Sequence, residues 1–279
     1  MELVILSDIT DNSARHLHTE AEQAHHNVEL IFYKNIKNTT SPLSSIQDSN
    51  KTILIPRYPY IANQPDINYL ALLTIILERY EFARIFDENI LRRHTFLQYD
   101  DKLFQTHQFA TLHLPHAPLL HPRLAQINEI SFPLIAKKRI SSRGSGNRIL
   151  YSSDELEEFI YTNETQQYIF QPFYTLRSDY RVLVLQDTIL GTAEREIRTR
   201  KNKASVRYSN HDTIILPQHI LDQCLALTRH IGADLCGIDV GLQENGEYFF
   251  IEYNLSPQFT SFEKYTGIPV SQHILRNLL

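Results

Sequence analysis

Residues 237–254 read GIDVGLQENGEYFFIEYN, and this stretch decides the fold. Two apolar segments flank Asn245-Gly246, a dipeptide that is typical of a tight hairpin turn. The pattern predicts two antiparallel strands that bring Asp239 close to Glu252. Because residues two apart on a strand share a face, Glu252 and Asn254 project together. Two carboxylates and an amide are hard oxygen ligands, so the hairpin predicts a magnesium site shared by protein and substrate phosphates.

A second polar segment lies upstream of the hairpin. Residues 132–147 read FPLIAKKRISSRGSGN, a short apolar strand that ends in Lys137 and continues into a loop of serine and glycine. Glycine lets the backbone approach an anion closely, and a lysine adds a fixed positive charge. The segment is therefore predicted to bind phosphate, although it matches neither common glycine-rich phosphate motif. A hairpin with two acids could also carry them simply exposed to solvent. The presence of a phosphate-binding segment upstream favours a metal site instead.

Length and composition bound the class of protein. The chain has 279 residues, a formal net charge of -5 and two cysteines, Cys224 and Cys236. The length indicates two or three lobes, and two cysteines outside any metal-ligand spacing exclude a disulfide framework. The acidic balance gives little attraction for nucleic acid or anionic membranes. With no apolar run of membrane-spanning length and no secretory signal, we expect a cytoplasmic protein without nucleic-acid or membrane partners.

Strands and helices alternate in the first third of the chain. The β-α-β order predicts a small lobe with a parallel sheet over residues 1–88. Residues 89–279 are expected to form a second domain, divided into subdomains of about 89–168 and about 169–279. The elements predicted for the first lobe are strands 3–6, 28–32 and 52–57 and helices 11–26 and 67–80. A helix at 100–111 opens the second domain, with an expected buried face of Leu103, Phe104, His107 and Thr111.

Several short motifs occur in one order along the chain. They are Ile53-Leu-Ile-Pro-Arg57, Asp101-Lys102 followed by Pro115-x-x-Pro118, Pro133-x-x-x-Lys137 followed by Gly144 and Gly146, Gln171-Pro-Phe173, Asp179-Tyr-Arg181, Gly237-Ile-Asp239 and Glu252-Tyr-Asn254-x-Ser-Pro. Together they resemble the RimK-like branch of the ATP-grasp ligases, which includes glutamate ligases and glutathione synthetase-like enzymes. The resemblance covers nearly the whole chain. It implies an α/β (α+β) fold in which a parallel N-terminal lobe precedes two subdomains that clasp ATP.

The resemblance also implies an activity, that of an ATP- and Mg²⁺-dependent carboxylate-amine ligase. In such an enzyme a carboxylate is phosphorylated by ATP, and an amine then attacks the acyl phosphate to give an amide or peptide bond. The expected partners are ATP and amino-acid, peptide or other carboxylate and amine substrates, and Mn²⁺ is the expected substitute for Mg²⁺. Relatives of this family are often dimers or tetramers, so a homo-oligomer stays open.

The resemblance assigns the nucleotide contacts residue by residue. Lys102 and Lys137 would contact the ATP phosphates. Residues 141–146, with Ser142, Gly144 and Gly146, would close over those phosphates. The adenine hinge matches Gln171, Pro172 and Phe173, with Phe173 donating its N–H, and Asp179 matches a ribose contact. An ion pair with Arg181 or Arg177 is the alternative for Asp179.

The reacting groups are assigned in the same way. Arg181, with Arg195 as its companion, would bind the acyl phosphate and its oxyanion, because a guanidinium holds two oxygens at once. Asp239, Glu252 and Asn254 would hold one or two magnesium ions that bridge the phosphates.

Two other functions stay open. Related ATP-grasp enzymes crosslink peptide side chains into lactones or lactams, and Gln258-Phe259 favours that group, whereas Ser256-Pro257 favours the glutamate ligases. The second is a non-catalytic nucleotide-binding regulatory protein. Several basic residues are either contacts for an anionic substrate or phosphate, or surface charges: Arg57, Arg143, Arg198, Arg200 and Arg207.

Overall fold

The structure is a computed structural model with a defined set of described residues. These are 2–36, 43, 49–57, 60–61, 64–65, 67–93, 98–121, 130–141, 146–200, 203–208 and 216–279. For 60–61, 64–65, 67–70, 197–200 and 203–207 the description covers the backbone alone.

Strands and helices alternate in the N-terminal part and segregate later. The strands are β1 (Glu2–Ser7), β2 (Asn27–Phe32), β3 (Thr52–Pro56), β4 (Tyr60–Ile61), β5 (Gln64–Pro65), β6 (Arg84–Ile85), β7 (Leu134–Lys138), β8 (Arg148–Leu150), β9 (Tyr168–Pro172), β10 (Leu176–Leu185), β11 (Thr188–Arg200), β12 (Lys203–Tyr208), β13 (Leu235–Gln243) and β14 (Tyr248–Asn254). The helices are α1 (Asn12–Gln23), α2 (Ile67–Arg79), α3 (Glu88–Leu91), α4 (Lys102–Thr111), α5 (Ser153–Thr162), α6 (Gln218–Ile231), α7 (Thr260–Thr266) and α8 (Val270–Leu278).

The N-terminal lobe contains the predicted parallel sheet. Its strand order is β2-β1-β3-β6, and each neighbouring pair is parallel. Helix α1 connects β1 to β2 and starts at Asp11, whose carboxylate accepts the Ala14 N–H at 3.0 Å. This cap satisfies one of the free N–H groups of the first turn. The predicted parallel α/β lobe is therefore confirmed.

Two antiparallel sheets follow. The smaller has the order β8-β7-β9 and packs its apolar face against α5 through Leu156 and Phe159. The larger has the order β12-β11-β10-β13-β14. Because β9 pairs with β7, the smaller sheet extends past residue 168, where the sequence places the boundary between subdomains.

Side-chain alternation divides the larger sheet between two cores. Val182 and Val184 of β10 pack in one apolar cluster with α6, whereas Leu183 and Leu185 pack in another with α7 and α8. Arg181 has the same parity as Leu183, so its side chain leaves the sheet on the side of α7 and α8. Within the described residues, no helix is both long enough and apolar enough to cross a membrane.

Candidate active site

The candidate site is a row of charged residues that crosses the larger sheet. Arg181 of β10 pairs in register with Asp239 of β13, and Asp239 pairs with Glu252 of β14. Residues directly opposite each other in an antiparallel sheet project to the same side. The turn at Asn245-Gly246 joins the two strands, as the sequence predicts, and Gly246 has the positive φ of 89° that the turn requires. A β-bulge between Asp239 and Val240 then shifts the register by one residue, so that Asp239 faces Glu252 rather than Ile251.

Two buried arginines hold Asp239. Arg181 donates through Nη2 to Asp239 Oδ2 at 2.9 Å and through Nε to Asp239 Oδ1, a bidentate pair. Arg195 Nη2 lies 2.9 Å from the same Asp239 Oδ2, and Arg195 Nε donates to Asp179 Oδ1 at 2.6 Å. The structure thus brings together Arg181 and Arg195, the two residues expected at the acyl phosphate.

Burial and pairing set the protonation of this cluster. Burial by itself disfavours the charged form of Asp239, but Arg181 and Arg195 hold the pKa of its carboxyl below the usual value. For Asp179 burial prevails, and with the nearby Asp239 charge it raises the pKa to about 7 against the effect of Arg195. Asp239 is therefore the fixed negative charge of the cluster.

Asp179 does not stand free for a ribose. Its side chain is buried and forms the ion pair with Arg195, whereas the sequence suggests Arg181 or Arg177 as the alternative partner. The partner is Arg195 because these two residues are in register on β10 and β11. The ribose contact stays a prediction that this arrangement does not support.

The two lysines expected at the phosphates lie next to the acidic hairpin. Lys102, in the first turn of α4, places Nζ 3.6 Å from Glu252 Oε2 and donates to the Ser141 carbonyl at 3.1 Å. Lys137 is at the end of β7, and loss of hydration, assisted by the charge of Lys102, lowers its pKa to about 8 although Glu252 opposes this shift. Positive charge is thus concentrated where Glu252 leaves the sheet.

The predicted phosphate loop is described only at its two ends. Ser142 and Gly144 lie outside the described residues. Gly146 has φ of 83°, and a Cβ there would lie 3.1 Å from Lys138 Cβ, so the end of the loop needs glycine for conformation and for space. At the other end, Ser141 contacts Lys102, so the loop leaves β7 beside the lysine of α4.

The adenine hinge differs from the prediction at one group. The Phe173 N–H donates to the Pro133 carbonyl at 2.9 Å, so it is not available to a nucleotide base. The prediction that Phe173 donates to adenine is wrong because Phe173 continues the ladder between β9 and β7, in which Pro172 pairs with Leu134. The Gln171 side chain donates to the Ala117 carbonyl at 2.9 Å, which attaches β9 to the segment that follows α4.

The residues expected to hold Mg²⁺ fit a cation to different degrees. Glu252 is only partly buried, and the Asn254 amide nitrogen is buried without a partner, so turning the amide would present its oxygen instead. Asp239 is less available to a cation, because its buried negative charge is balanced by Arg181 and Arg195. No three His, Cys, Asp or Glu side chains gather in the described part of the chain, so a cation here would depend on Asn254 and on phosphate oxygens.

Arg57 connects the N-terminal lobe to the end of the hairpin. It donates to Asp11 Oδ2 at 2.6 Å and to the carbonyl oxygens of Pro257 at 2.9 Å and Ser256 at 3.3 Å. Its guanidinium also lies over the Phe259 ring. Arg57 is 4% exposed, so it is not the surface charge that the sequence offers as one alternative. These bonds use Nε and Nη2, and the anion contact stays a prediction. The side chains of Arg198, Arg200 and Arg207 and the whole of Arg143 lie outside the described residues.

Two residues near the site escape sequence reasoning. Tyr208 pairs in register with Arg195 and stacks on Tyr265, with ring centroids 5.6 Å apart, on the edge strand β12, whereas Glu252 is on the opposite edge strand, β14. Gln105 of α4 contacts the backbone of Tyr253, between Glu252 and Asn254. Both contacts join distant parts of the chain, and no local pattern signals them.

Comparisons with known proteins agree on one family. A family model of the RimK-like ATP-grasp domain matches residues 116–278. A curated relative, the glutamate--LysW ligase ArgX of Sulfolobus acidocaldarius, is 27% identical over 156 residues, which are 52% of this chain and 54% of that protein. The chain therefore matches the curated relative over about half of that relative's length.

Solved structures match over nearly the whole chain. The ATP-grasp ligase PsnB complexed with minimal precursor has a TM-score of 0.75 at 17% identity and covers 99% of this chain and 97% of its own. The macrocyclase MdnC of Microcystis aeruginosa MRC, bound with precursor peptide MdnA, has a TM-score of 0.68 at 17% identity and coverages of 100% and 99%. D-alanine--D-alanine ligase of Bacillus anthracis, complexed with ATP, has 0.65 at 11% identity and coverages of 99% and 92%. At these identities the likeness is one of fold, and it confirms the predicted fold class.

Proposed function

This chain belongs to the RimK-like ATP-grasp family, and from that premise we propose that it is an ATP- and Mg²⁺-dependent ligase joining a carboxylate to an amine. The bond formed is an amide or peptide bond, made through an acyl phosphate. The substrates we propose are an amino acid or a peptide, and the reaction is proposed to take place in the cytoplasm, where ATP is available.

The observation that carries the proposal is the row from Arg181 through Asp239 to Glu252, with Lys102 beside its end. The row places two kinds of charge next to each other on one face of the sheet. The lysine end suits the phosphates of ATP, and the guanidinium end suits the oxygens of a carboxylate and of its acyl phosphate. A ligase of this type needs both groups held within reach of each other.

Each group has a role in the proposed reaction. A carboxylate oxygen of the substrate attacks the γ-phosphorus, ADP leaves, and Lys102 and Lys137 stabilise the negative charge of the phosphates. The amine nitrogen then attacks the acyl carbon, the C–O bond to phosphate breaks, and the amine proton passes to solvent. Arg181 and Arg195 would stabilise the oxyanion formed at the acyl carbon. Asp239 keeps both guanidinium groups in place.

Glu252 and Asn254 are the residues that we propose to hold Mg²⁺ or Mn²⁺, with Asp239 as an additional ligand. When bound, the cation would reduce the repulsion between the phosphates and the attacking carboxylate. At the hinge, the Phe173 N–H points toward β7, so alternation along the strand makes Tyr174 N–H and Pro172 carbonyl the groups that we propose for adenine.

A peptide substrate is the form of the proposal that the fold comparisons favour. PsnB and MdnC were both solved with precursor peptides, and each covers at least 99% of this chain. Crosslinking of peptide side chains into lactones or lactams is therefore the second candidate function. It differs from addition of a residue in its product, because crosslinking removes water from one peptide whereas ligation adds the mass of a second molecule less one water.

The test is ATP turnover to ADP and phosphate with Mg²⁺ across amino acids, short peptides and a host extract, with product masses read in parallel. Glu252→Ala is expected to abolish turnover, and Glu244→Ala, an exposed acid on the same hairpin, is expected to keep it. A gain of residue mass supports the ligase, and a loss of water supports the crosslinker. Binding of ATP without turnover of any substrate would favour the nucleotide-binding regulator instead.

A further inference from the structure

Strand β14 is the last strand of the larger sheet, so half of its backbone groups face away from β13. Such groups need other partners when they are buried. The Phe250 N–H finds one in the Pro115 carbonyl, at 2.7 Å. Three residues further along, at Tyr253, a side chain of α4 takes the place of a neighbouring strand.

That side chain is Gln105, which is 3% exposed. Its Nε2 donates to the Tyr253 carbonyl at 2.8 Å, and its Oε1 accepts the Tyr253 N–H at 3.3 Å. The second proton of Nε2 goes to the Tyr99 carbonyl at 2.9 Å. One side-chain amide therefore satisfies both backbone groups of Tyr253, as an adjacent strand would, and leaves none of its own donors unused.

The position of this contact is what gives it a function. Tyr253 lies between Glu252 and Asn254, the two residues that leave the sheet on the proposed cation side. Lys102 is on the same helix, one turn before Gln105, and reaches Glu252 from there. A shift of α4 relative to β14 would therefore move Lys102 relative to Glu252 and Asn254, and loss of the bonds to Tyr253 would free the backbone between these two residues.

We propose that Gln105 is a positioning residue that fixes the cation-binding geometry of Glu252 and Asn254 by holding Tyr253. This inference rests on the proposed function, because it assumes that these two side chains bind the cation. Gln105 itself touches neither the cation nor the phosphates. It acts on them through the backbone of one residue, as groups behind the direct ligands do in metal sites generally.

The experiment measures Mn²⁺ binding to the protein in complex with AMPPNP, an ATP analogue that is not hydrolysed, so no substrate is needed. Gln105→Met keeps the volume of the side chain and removes its hydrogen bonds. The matched control is Gln108→Met, because Gln108 lies on the same helix, is also buried, and bonds to the His230 side chain rather than to β14. AMPPNP binding in EDTA is measured for each variant, since a general loss of structure would weaken this binding too.

Gln105→Met is expected to raise the Mn²⁺ concentration for half-saturation about 10-fold, with AMPPNP binding in EDTA changed less than about twofold. Gln108→Met is expected to change neither value by more than about twofold. If Gln105→Met does not fold, Gln105→Asn, which is too short to reach both Tyr253 groups, is expected to show the same separation. An equal effect of Gln108→Met, or no effect at Gln105, would overturn the inference.

Glu252→Gln separates this inference from the function on which it rests. A strong loss of Mn²⁺ binding in Glu252→Gln together with normal binding in Gln105→Met would reject the positioning role and leave the cation site standing. Normal Mn²⁺ binding in Glu252→Gln would reject the cation site itself, and the proposed role of Gln105 with it.

Discussion

Asp239 and Glu252 lie directly opposite each other on β13 and β14, yet they have different partners. Asp239 is 3% exposed and is held by two guanidinium groups, whereas Glu252 is partly exposed and faces Lys102 at 3.6 Å. Asp239 is thus paired mainly with the arginines, and Glu252 is the carboxylate more available to a cation. Two acids of one motif therefore differ in what their loss should cost.

Asp239→Asn is expected to lower the free energy of unfolding by about 3 to 5 kcal/mol, because it removes the shared counter-charge of two buried arginines. Glu252→Gln is expected to change it by less than about 1 kcal/mol, since the pair with Lys102 is long and partly hydrated. Urea denaturation followed by circular dichroism measures both values. Similar losses in the two variants would show that the acids are not divided in this way.

Gly237→Ala is expected to displace Arg181. A Cβ at residue 237 would lie 2.8 Å from Pro257 Cβ, closer than real Cβ contacts allow, and 3.0 Å from Arg181 Nη1, which is a tight contact. We expect a loss of about 1 to 3 kcal/mol in unfolding free energy and a lower rate of ATP turnover. Gly246→Asn is the control, because nothing lies within 4 Å of that position and asparagine tolerates a positive φ. If Gly237→Ala is as stable as the control, the position of the Arg181 side chain does not require a residue without a Cβ at 237.

Arg57→Met is expected to destabilise the contact between the N-terminal lobe and the hairpin. It leaves the buried Asp11 carboxylate without its charge partner and the Pro257 carbonyl without a donor, at a cost of about 3 to 5 kcal/mol. Arg15→Met serves as the control, since Arg15 is exposed. Thermal unfolding compares the two variants. If Arg57→Met keeps the stability of the wild type but loses affinity for an anionic substrate, Arg57 binds the substrate rather than stabilising the contact between the lobes.

The stability of the protein is expected to fall as pH rises through the pKa of Asp87. Burial, reinforced by the charge of Asp234, raises the pKa of Asp87 to about 8. An acid whose pKa is raised in the folded state binds its proton more tightly there than in the unfolded chain. Its contribution is thus complete below about pH 4 and is lost between about pH 4 and pH 8, by at most about 1.4 kcal/mol per pH unit.

Asp87→Asn should reduce this dependence, because asparagine stays neutral and tolerates the φ of 61° at this position. Asp100 and Asp179, whose pKa burial raises to about 7, should keep the part of it below about pH 7. Urea denaturation at pH 6, 7, 8 and 9 measures the slope. Glu81→Gln, at an exposed acid, should leave the slope unchanged. An unchanged slope between pH 7 and pH 8 in Asp87→Asn would assign the pH dependence there to another group.

Nucleotide affinity should also depend on pH, through Lys137. Its pKa of about 8 means that the ammonium loses its proton as pH rises from 7 to 9, and the attraction for phosphate falls with it. Calorimetric titration with AMPPNP in EDTA should show weaker binding at pH 9 than at pH 7. Lys137→Met should bind weakly at both values, and Lys138→Met, whose side chain leaves β7 on the other face, should keep the difference. A wild-type affinity that is constant over this range would contradict the prediction.

Local sequence patterns predict several of the elements and their order. Hairpin 237–254 and the parallel lobe follow from patterns within a few residues: an Asn-Gly turn and alternation with a period of two. The Asn-Gly turn predicts that Asp239 lies close to Glu252, whereas their direct pairing depends on the β-bulge between Asp239 and Val240. The order of the short motifs also predicts the RimK-like ATP-grasp family, which the family model confirms.

Which side chains are buried and which form ion pairs depends on the tertiary structure. Helix α4 buries Lys102, Gln105, Thr106, Gln108 and Phe109. The expected inward face is therefore wrong at His107 and Thr111, which are exposed, whereas Leu103 is partly buried and Phe104 packs against the apolar core. The prediction assumed that the buried residues of the helix are apolar. Helix α4 instead covers the edge of β14, where backbone groups need polar partners. Ion pairs of Asp239 and Arg57 likewise join residues 58 and 46 positions apart. Such pairs depend on how separate strands pack in space, and local periodicity carries no information about that packing.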